Sequence, residues 1–294
     1  MLTVANAFNQ MFSRIEPDPV ERKRLDLQAN VLRDALKAQL GPQLARHFVG
    51  GSAGRSTHLN PQKDLDLVFQ LDPAKNPLSL ANASPEQAMD WFEQQARTAL
   101  APYSRDIRRQ HRSLCVTVPG FTTTFDLVLL CRHSGQAEQW TLPDLQRNAW
   151  IFADPDKQAQ ALKTASQPMG GTLNRYIRLI KLVRGRLPTK LSSYYLEVMC
   201  YDGLASPPAS FMQGFQDLCG HLAARVLRRQ ENPAGLGPNI DDRATPEQRQ
   251  QRQKAFLELQ RQAANAIALN QQKRLEEAHL QWASIFGPVY QWQA

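Results

Sequence analysis

The residues best suited to chemistry fall in one stretch, Gly50 to Phe69, which reads GGSAGRSTHLNPQKDLDLVF. It opens with Gly50, Gly51 and Ser52, where missing side chains let the backbone pass close to a phosphate. It ends in Asp64, Leu65 and Asp66, embedded in a Leu, Val and Phe run that predicts a buried strand. Side chains of a strand alternate faces, so Asp64 and Asp66 project to one side, about 7 Å apart at their backbones. Leu65, Leu67 and Phe69 then point into a core. The two carboxylates repel each other unless a cation or protons lie between them.

A third acid, Asp126, interrupts the β-rich run Thr122 to Leu130 (TTTFDLVLL). A lone carboxylate in a buried strand is costly without a partner. It is either paired with an arginine or capping a turn, or it is a third metal ligand beside Asp64 and Asp66. The unexplained acid pair in the same half of the chain favours the metal. Three carboxylates on adjacent strands with a Gly-Gly-Ser turn suit two-metal nucleotidyl transfer, with two Mg²⁺ ions about 4 Å apart and Mn²⁺ able to substitute. Asp64 and Asp66 would hold both ions and Asp126 the one beside the nucleophile. Backbone N–H groups after Gly51 and the Ser52 hydroxyl would grip the β/γ-phosphates at a helix start.

The elements that must position these groups follow from periodicity and punctuation. A short amphipathic helix is expected over residues 1–15, closed by Pro17. Asp18-Pro19 caps a second helix running to Leu40, ended by Gly41-Pro42. Ala45 to Val49 is a strand leading into the glycines, and Lys63 to Leu71 is the strand bearing the acid pair. Asp72 to Ala83 is a loop. Ser84-Pro85-Glu86-Gln87 carries a capping box that opens a helix through Leu100, with Trp91 and Phe92 on its buried side. Extended segments follow at Ile107, over 111–118 and over 122–130. From about Trp150 the pattern turns helical, over 173–187, 192–201, 209–229 and a Gln-rich stretch from Thr245 to Ile285, with a loop at 232–242. The reading is an α+β first half, residues 1–150, and a helical second half, 151–294, with the N-terminal helices able to span both and a site in the cleft between the lobes.

Composition narrows the classes. The 294 residues, 42% apolar, suffice for a proper core. A formal charge of +8 points to a polyanionic partner such as a nucleotide or nucleic acid. Cys115, Cys131, Cys200 and Cys219 form no CxxC pair, so reduced core thiols in a cytoplasmic protein are expected rather than a zinc site. No secretory signal and no run near 20 apolar residues is present, so no membrane span is expected.

Gly-Ser, then D-x-D about a dozen residues on, then a strand Asp resembles the DNA polymerase β-type nucleotidyltransferase superfamily. Asn174 to Leu182 (NRYIRLIKL) followed by Leu191 to Met199 (LSSYYLEVM) is similar to the helical lobe of cyclic GMP-AMP synthase and the oligoadenylate synthases. It most resembles their bacterial relatives, the cGAS/DncV-like nucleotidyltransferases (CD-NTases), as does the late stretch QWASIFGPVY (281–290). The resemblance implies a polymerase β-like core, a mixed sheet with flanking helices, beside a helical lid lobe. It also implies that Lys181 contacts the triphosphate, Ser193 reaches a phosphate and Tyr194 stacks on the donor base. Lys181 and Tyr194 suit those roles as a point charge and a flat π-face. The alternatives are a solvated basic face made of Arg175, Arg178, Lys181 and Arg184, and ordinary core aromatics at Tyr194 and Tyr195. A Thr or Ser a few residues beyond the Gly-Ser is ambiguous here between Ser56 and Thr57. Arg55 and Lys63 either reach a phosphate or stay solvated. Asn174, Asn239 and Asp241 are candidates to border the base pocket. His58 and His111 are read as surface or loop residues.

The resemblance further implies a cyclic oligonucleotide synthase in antiphage signalling, acting on NTP substrates, with a separate effector switched on by its product and room for regulatory partner proteins. No Cys/His ribbon of the kind that clamps DNA is present. The second reading is a template-independent transferase acting on an RNA end, a small molecule or a protein. The third is a non-catalytic relative, which the presence of all three acids disfavours.

Overall fold

The computed structural model describes residues 2–75, 83–104, 106–132, 139–188, 191–235, 239–241 and 244–293. Part of the expected 72–83 loop, Asp242 and Ala294 lie outside the described residues. In chain order the first elements are α1 (Val4–Ile15), α2 (Pro19–Leu40), β1 (Leu44–Val49), the single turn α3 (Gly51–Gly54) and β2 (Asp64–Leu71). Next come α4 (Pro85–Leu100), β3 (Asp106–Arg109), β4 (Leu114–Thr117), β5 (Thr124–Arg132), β6 (Trp140–Asp144) and β7 (Ala149–Phe152). Helices α5 (Pro155–Ser166), α6 (Leu173–Leu182), α7 (Ser193–Met199), α8 (Phe211–Arg225), α9 (Pro246–Gln271) and α10 (Leu275–Phe286) complete the chain.

Two compact units result, and neither is contiguous: residues 18–55 with 61–158, and residues 1–17 with 56–60 and 159–294. The first is a mixed sheet ordered β1-β2-β5-β4-β3, with β6 pairing β5 and β7 pairing β6. The β2–β5 pair is parallel, whereas β1–β2, β3–β4, β4–β5, β5–β6 and β6–β7 are antiparallel. Alternation drives its burial. Leu65, Leu67 and Phe69 of β2, with Phe125, Leu127 and Leu129 of β5, are wholly buried against Leu25, Leu32 and Leu36 of α2 and Met89 and Phe92 of α4. Both helices start where their caps require. The Asp18 carboxylate accepts from the Val20 N–H, and Ser84 and Gln87 form a reciprocal capping box.

Among the described residues, every regular element of the second unit is helical. Phe8, Met11, Phe12 and Ile15 of α1 pack with Ile177 and Ile180 of α6, Phe215 of α8, Phe256 of α9 and Trp282 of α10. Phe8 meets Trp282 edge-on at 4.9 Å between ring centroids.

Two features differ from the sequence reading. The β6–β7 hairpin occupies 140–152, where the turn to helical character was expected. Pro143 masks it, since proline lacks the N–H of a ladder partner and is tolerated only in short edge pairings such as Pro143 with Trp150. The Gln-rich stretch is two helices rather than one. Lys273 takes a left-handed φ of +61, its N–H bonds the Asn270 carbonyl and the Arg274 N–H bonds the Leu269 carbonyl. That is a Schellman ending with lysine where glycine normally signals it.

Because Phe69 fills the layer beneath the acid strand, Phe69→Ala should cost about 3–5 kcal/mol of stability. Leu27→Ala, on the exposed face of α2, should change it by less than about 0.5 kcal/mol. Urea midpoints of the two variants against the parent chain check this.

Candidate active site

The parallel register of β2 and β5 decides the geometry. Asp66 stands opposite Asp126 and Asp64 opposite Thr124. Paired residues share a face, so all three acids emerge on the side away from α2 and α4. Neighbouring strands are about 4.8 Å apart, which sets the backbone spacing of Asp66 and Asp126. Asp64 is exposed, and Asp66 and Asp126 are half-buried.

The electrostatics follow from this crowding. Burial first, then the Asp64 charge, pushes the Asp66 carboxyl up to about 6, with Arg55 opposing. Burial, then the charges of Asp66 and Asp64, pushes Asp126 up to about 7, with a hydrogen bond from the Cys115 thiol opposing. Cys115 is the β4 partner of Asp126 in the ladder. Asp126 Oδ1 is buried without a hydrogen-bond partner.

The glycine turn is shaped around the same carboxylates. The Gly50 N–H donates to the Asp66 carbonyl at 2.9 Å, tying the turn to the acid strand. Gly51 has φ +57, and a Cβ there would lie 1.6 Å from Asp66 Oδ2. A side chain at Gly51 is therefore excluded twice, by backbone conformation and by the carboxylate. Ser52 follows in α3, half-exposed.

An orphaned carboxylate oxygen, three like charges on one face and a carboxylate pressed on bare backbone make a donor set suited to a hard divalent cation. Among the described residues no three His, Cys, Asp or Glu side chains are gathered closely enough to hold a metal ion. Mutual repulsion opposes such a gathering until charge is neutralised.

The remaining expected residues belong to the helical unit. The Lys181 ammonium is buried and donates to Glu197 Oε2 at 2.9 Å, the Thr57 carbonyl at 3.0 Å and the Thr57 hydroxyl at 2.9 Å. Ser193 and Tyr194 sit in the first turn of α7, which Ser192 caps. The Ser193 hydroxyl accepts from Arg184 at 2.5 Å, and the half-buried Tyr194 donates to Asn232 at 3.3 Å. Tyr195 is a core residue. Thr57 is fully buried and Ser56 is exposed with φ +56, so the two alternatives have opposite environments. Asp241 is a buried staple, accepting from the Gln230 N–H and paired with Arg249. His58, expected at the surface or in a loop, is in a loop but buried, whereas His111 is exposed. All four cysteines are free and buried. The sequence reading missed Glu197. Its signal was a single acid in the otherwise apolar run YYLEVMC.

A family model for the second messenger oligonucleotide or dinucleotide synthetase domain (SMODS) matches residues 2–165, more than half of the chain. The chain belongs to the SMODS family. Solved CD-NTases show the same fold. CdnC of Escherichia coli MS115-1, in a complex with HORMA-deltaN, has a TM-score of 0.78 at 16% identity over 98% of both chains. CdnG of Bradyrhizobium diazoefficiens, in complex with GTP, has 0.74 at 14% over 96% of this chain and 94% of that one. The cyclic AMP-GMP synthase DncV of Vibrio cholerae has 0.73 at 12% over 99% and 98%. No curated protein matches. The mixed α+β architecture of this SMODS chain is thus the nucleotidyltransferase fold of the CD-NTases. None of its described helices is long and apolar enough to cross a membrane.

The raised carboxyls fix the sign of a pH effect in metal-free protein. The folded chain binds protons more tightly than the unfolded chain between about pH 4 and 7, so stability contributed at this face falls as pH rises through that window. The loss is on the order of 3 kcal/mol for Asp66 and 4 kcal/mol for Asp126, because each tenfold gain in proton affinity is worth about 1.4 kcal/mol. His47, held below its ordinary value by burial, acts in the opposite sense. The difference between the parent and Asp126→Asn therefore isolates the acids. In EDTA, Asp126→Asn should lose less stability than the parent between pH 5 and 7.5, and millimolar Mn²⁺ should raise the parent's melting temperature more than the variant's. Gly51→Ala should lose the Mn²⁺ response.

Proposed function

We propose that this chain joins nucleoside triphosphates into a cyclic di- or oligonucleotide with release of pyrophosphate, as a cytoplasmic source of second messenger in antiphage signalling. The observation that carries this reading is the single-face trio Asp64, Asp66 and Asp126 on in-register parallel strands beside a side-chain-free turn. Those three acids would hold Mg²⁺, or Mn²⁺ in its place. Such ions, when bound, lower the pKa of an attacking hydroxyl and neutralise charge on the leaving pyrophosphate.

The chain's own contribution is placement. Gly51 offers backbone rather than a side chain to the triphosphate, and the Ser52 hydroxyl adds a donor beside it. Asp66, backed by the Gly50–Asp66 backbone bond, keeps its carboxylate at that turn. The half-buried ring of Tyr194 offers a π-face to the donor base, and Ser193 beside it a hydroxyl to a phosphate. Ring closure requires the linear intermediate to reorient so that its remaining triphosphate faces the acids. NTPs are then the small-molecule partners, and the product acts on a separate effector. A HORMA-type protein is the partner this reading favours, since CdnC is found in a complex with HORMA-deltaN.

Purified protein incubated with mixed NTPs and Mg²⁺ or Mn²⁺, then with phosphatase, should leave a phosphatase-resistant nucleotide whose mass identifies a ring. Asp64→Asn and Asp126→Asn should each lower turnover at least ~100-fold, the scale of losing an electrostatic catalytic group. Linear or tailed products, or extension of a labelled RNA, would instead establish the tailing reading. Wild-type turnover in Asp64→Asn would exclude the metal assignment.

A further inference from the structure

Helix α2 carries two rows of apolar residues, and the sheet unit buries one of them. The buried row is Leu25, Ala29, Leu32, Leu36 and Leu40. On the opposite side Val20, Leu27 and Val31 are 78%, 59% and 39% exposed, and Ala38 is exposed as well. One exposed apolar side chain is ordinary on a protein surface. These four are not scattered. With Arg24 and Asp34 they occupy positions 20, 24, 27, 31, 34 and 38. Steps that alternate between four and three are the spacing of a coiled-coil seam. On a straight helix the six positions fall within a stripe about 80° wide, facing away from the buried row.

The order of residues along this seam is self-complementary. Laid antiparallel on a second copy, about a two-fold axis level with Ala29, Leu27 meets Val31 of that copy and Val20 meets Ala38. In the same register Arg24 meets Asp34, so the two polar layers join opposite charges. Each pairing occurs twice, as a two-fold interface requires. At the axis Gln28 comes level with its own copy, and an amide offers that copy both a donor and an acceptor. Arg24 is already held in place. It donates to the Gly120 carbonyl, pairs with Glu21 at 3.3 Å and lies 4.2 Å from the centroid of the Phe121 ring, with its side chain half exposed. Little freedom is therefore left for it to lose on meeting a carboxylate. One flank opposes the pairing, because Lys23 comes level with Lys37 of the second copy. We propose that α2 is a self-association surface through which two copies of this chain form an antiparallel, two-fold symmetric dimer. A pair of 22-residue helices is about 33 Å long and makes a small interface, so the dimer is weak, with a dissociation constant in the micromolar range.

Sedimentation velocity from low micromolar to submillimolar chain, without nucleotide, tests this. The parent should run as a monomer at the dilute end and as a dimer at the concentrated end. Leu27→Arg should weaken association about tenfold or more, by placing a charge in the central layers. Arg24→Asp and Asp34→Arg should each weaken it on the same scale, since each sets like charges opposite one another. An equimolar mixture of those two variants should associate to within about threefold of the parent, because both polar layers again join opposite charges. Lys23→Glu should tighten the dimer about threefold, by turning the flanking repulsion into attraction toward Lys37. Positions 27 and 34 are exposed, so Leu27→Arg and Asp34→Arg should keep the parent's folding stability at the dilute end to within about 0.5 kcal/mol. A parent that stays monomeric throughout overturns the proposal. So does a folded Leu27→Arg chain that associates like the parent, or a mixture that associates no more tightly than its components alone.

Discussion

Three carboxylates on one face of two parallel strands repel each other, and the sheet unit is arranged so that they stay together regardless. The opposing face supplies the force. Leu65, Leu67 and Phe69 alternate with the acids on β2, and Phe125, Leu127 and Leu129 alternate with Asp126 on β5, all wholly buried. Each such side chain contributes about 1.5–3 kcal/mol by leaving water, so the set outweighs the burial and the repulsion that raise Asp66 and Asp126. A one-residue slip of either strand would turn those side chains out and the acids in. Register is thus held by the hydrophobic face and read out on the polar one.

The acid face is polar only at one end, and the unexpected hairpin explains why. Beyond Asp66 and Asp126 the same face continues with Val68 and Leu130, which cluster with Ala153, Phe48, Val128, Trp140 and Leu142. Strand β6 provides Trp140 and Leu142, Ala153 follows β7, and the hairpin so covers that end. Hence β2 reads as continuously apolar from Leu67 onward, apart from Gln70, and breaks its alternation where the cover begins. The carboxylates occupy the part of the face that the hairpin leaves to the glycine turn, and Gly51 has no side chain because the Asp66 carboxylate fills that space.

Much of this was legible from residue order. The capped helices α2 and α4, the acid strand and the strand that bears the third acid all follow from caps and alternation. Two of the hidden parts share one cause: a local signal carried by an unusual residue. Pro143 stands inside a strand, and Lys273 takes the left-handed position that glycine would have advertised. The parallel pairing of β2 with β5 was hidden for another reason, because partners separated by about sixty residues leave no trace in either segment alone. Side-chain identity announced that Asp64, Asp66 and Asp126 carry charge, but only register shows that they face the same way.

The same limitation applies to cations, with the opposite outcome. Helical spacing shows that Asn174, Arg178 and Lys181 share a row, but a row of charges looks alike whether it meets solvent, phosphate or buried carbonyls. In the structure the two sets of charges differ in compensation. The acid trio lacks it: burial, then neighbouring acid charge, raises the proton affinity of Asp66 and Asp126, and Asp126 keeps an oxygen with no donor. The lysine has it in full, with a carboxylate, a hydroxyl and a carbonyl on its three N–H groups. A buried ion pair is seldom the cheapest way to stabilise a core, since apolar residues of equal volume often do as well. What the pair supplies here is direction, because an ammonium with three fixed acceptors tolerates little displacement of Thr57. Charge left unbalanced favours a counter-ion, whereas charge balanced from within fixes the path of the chain around Thr57.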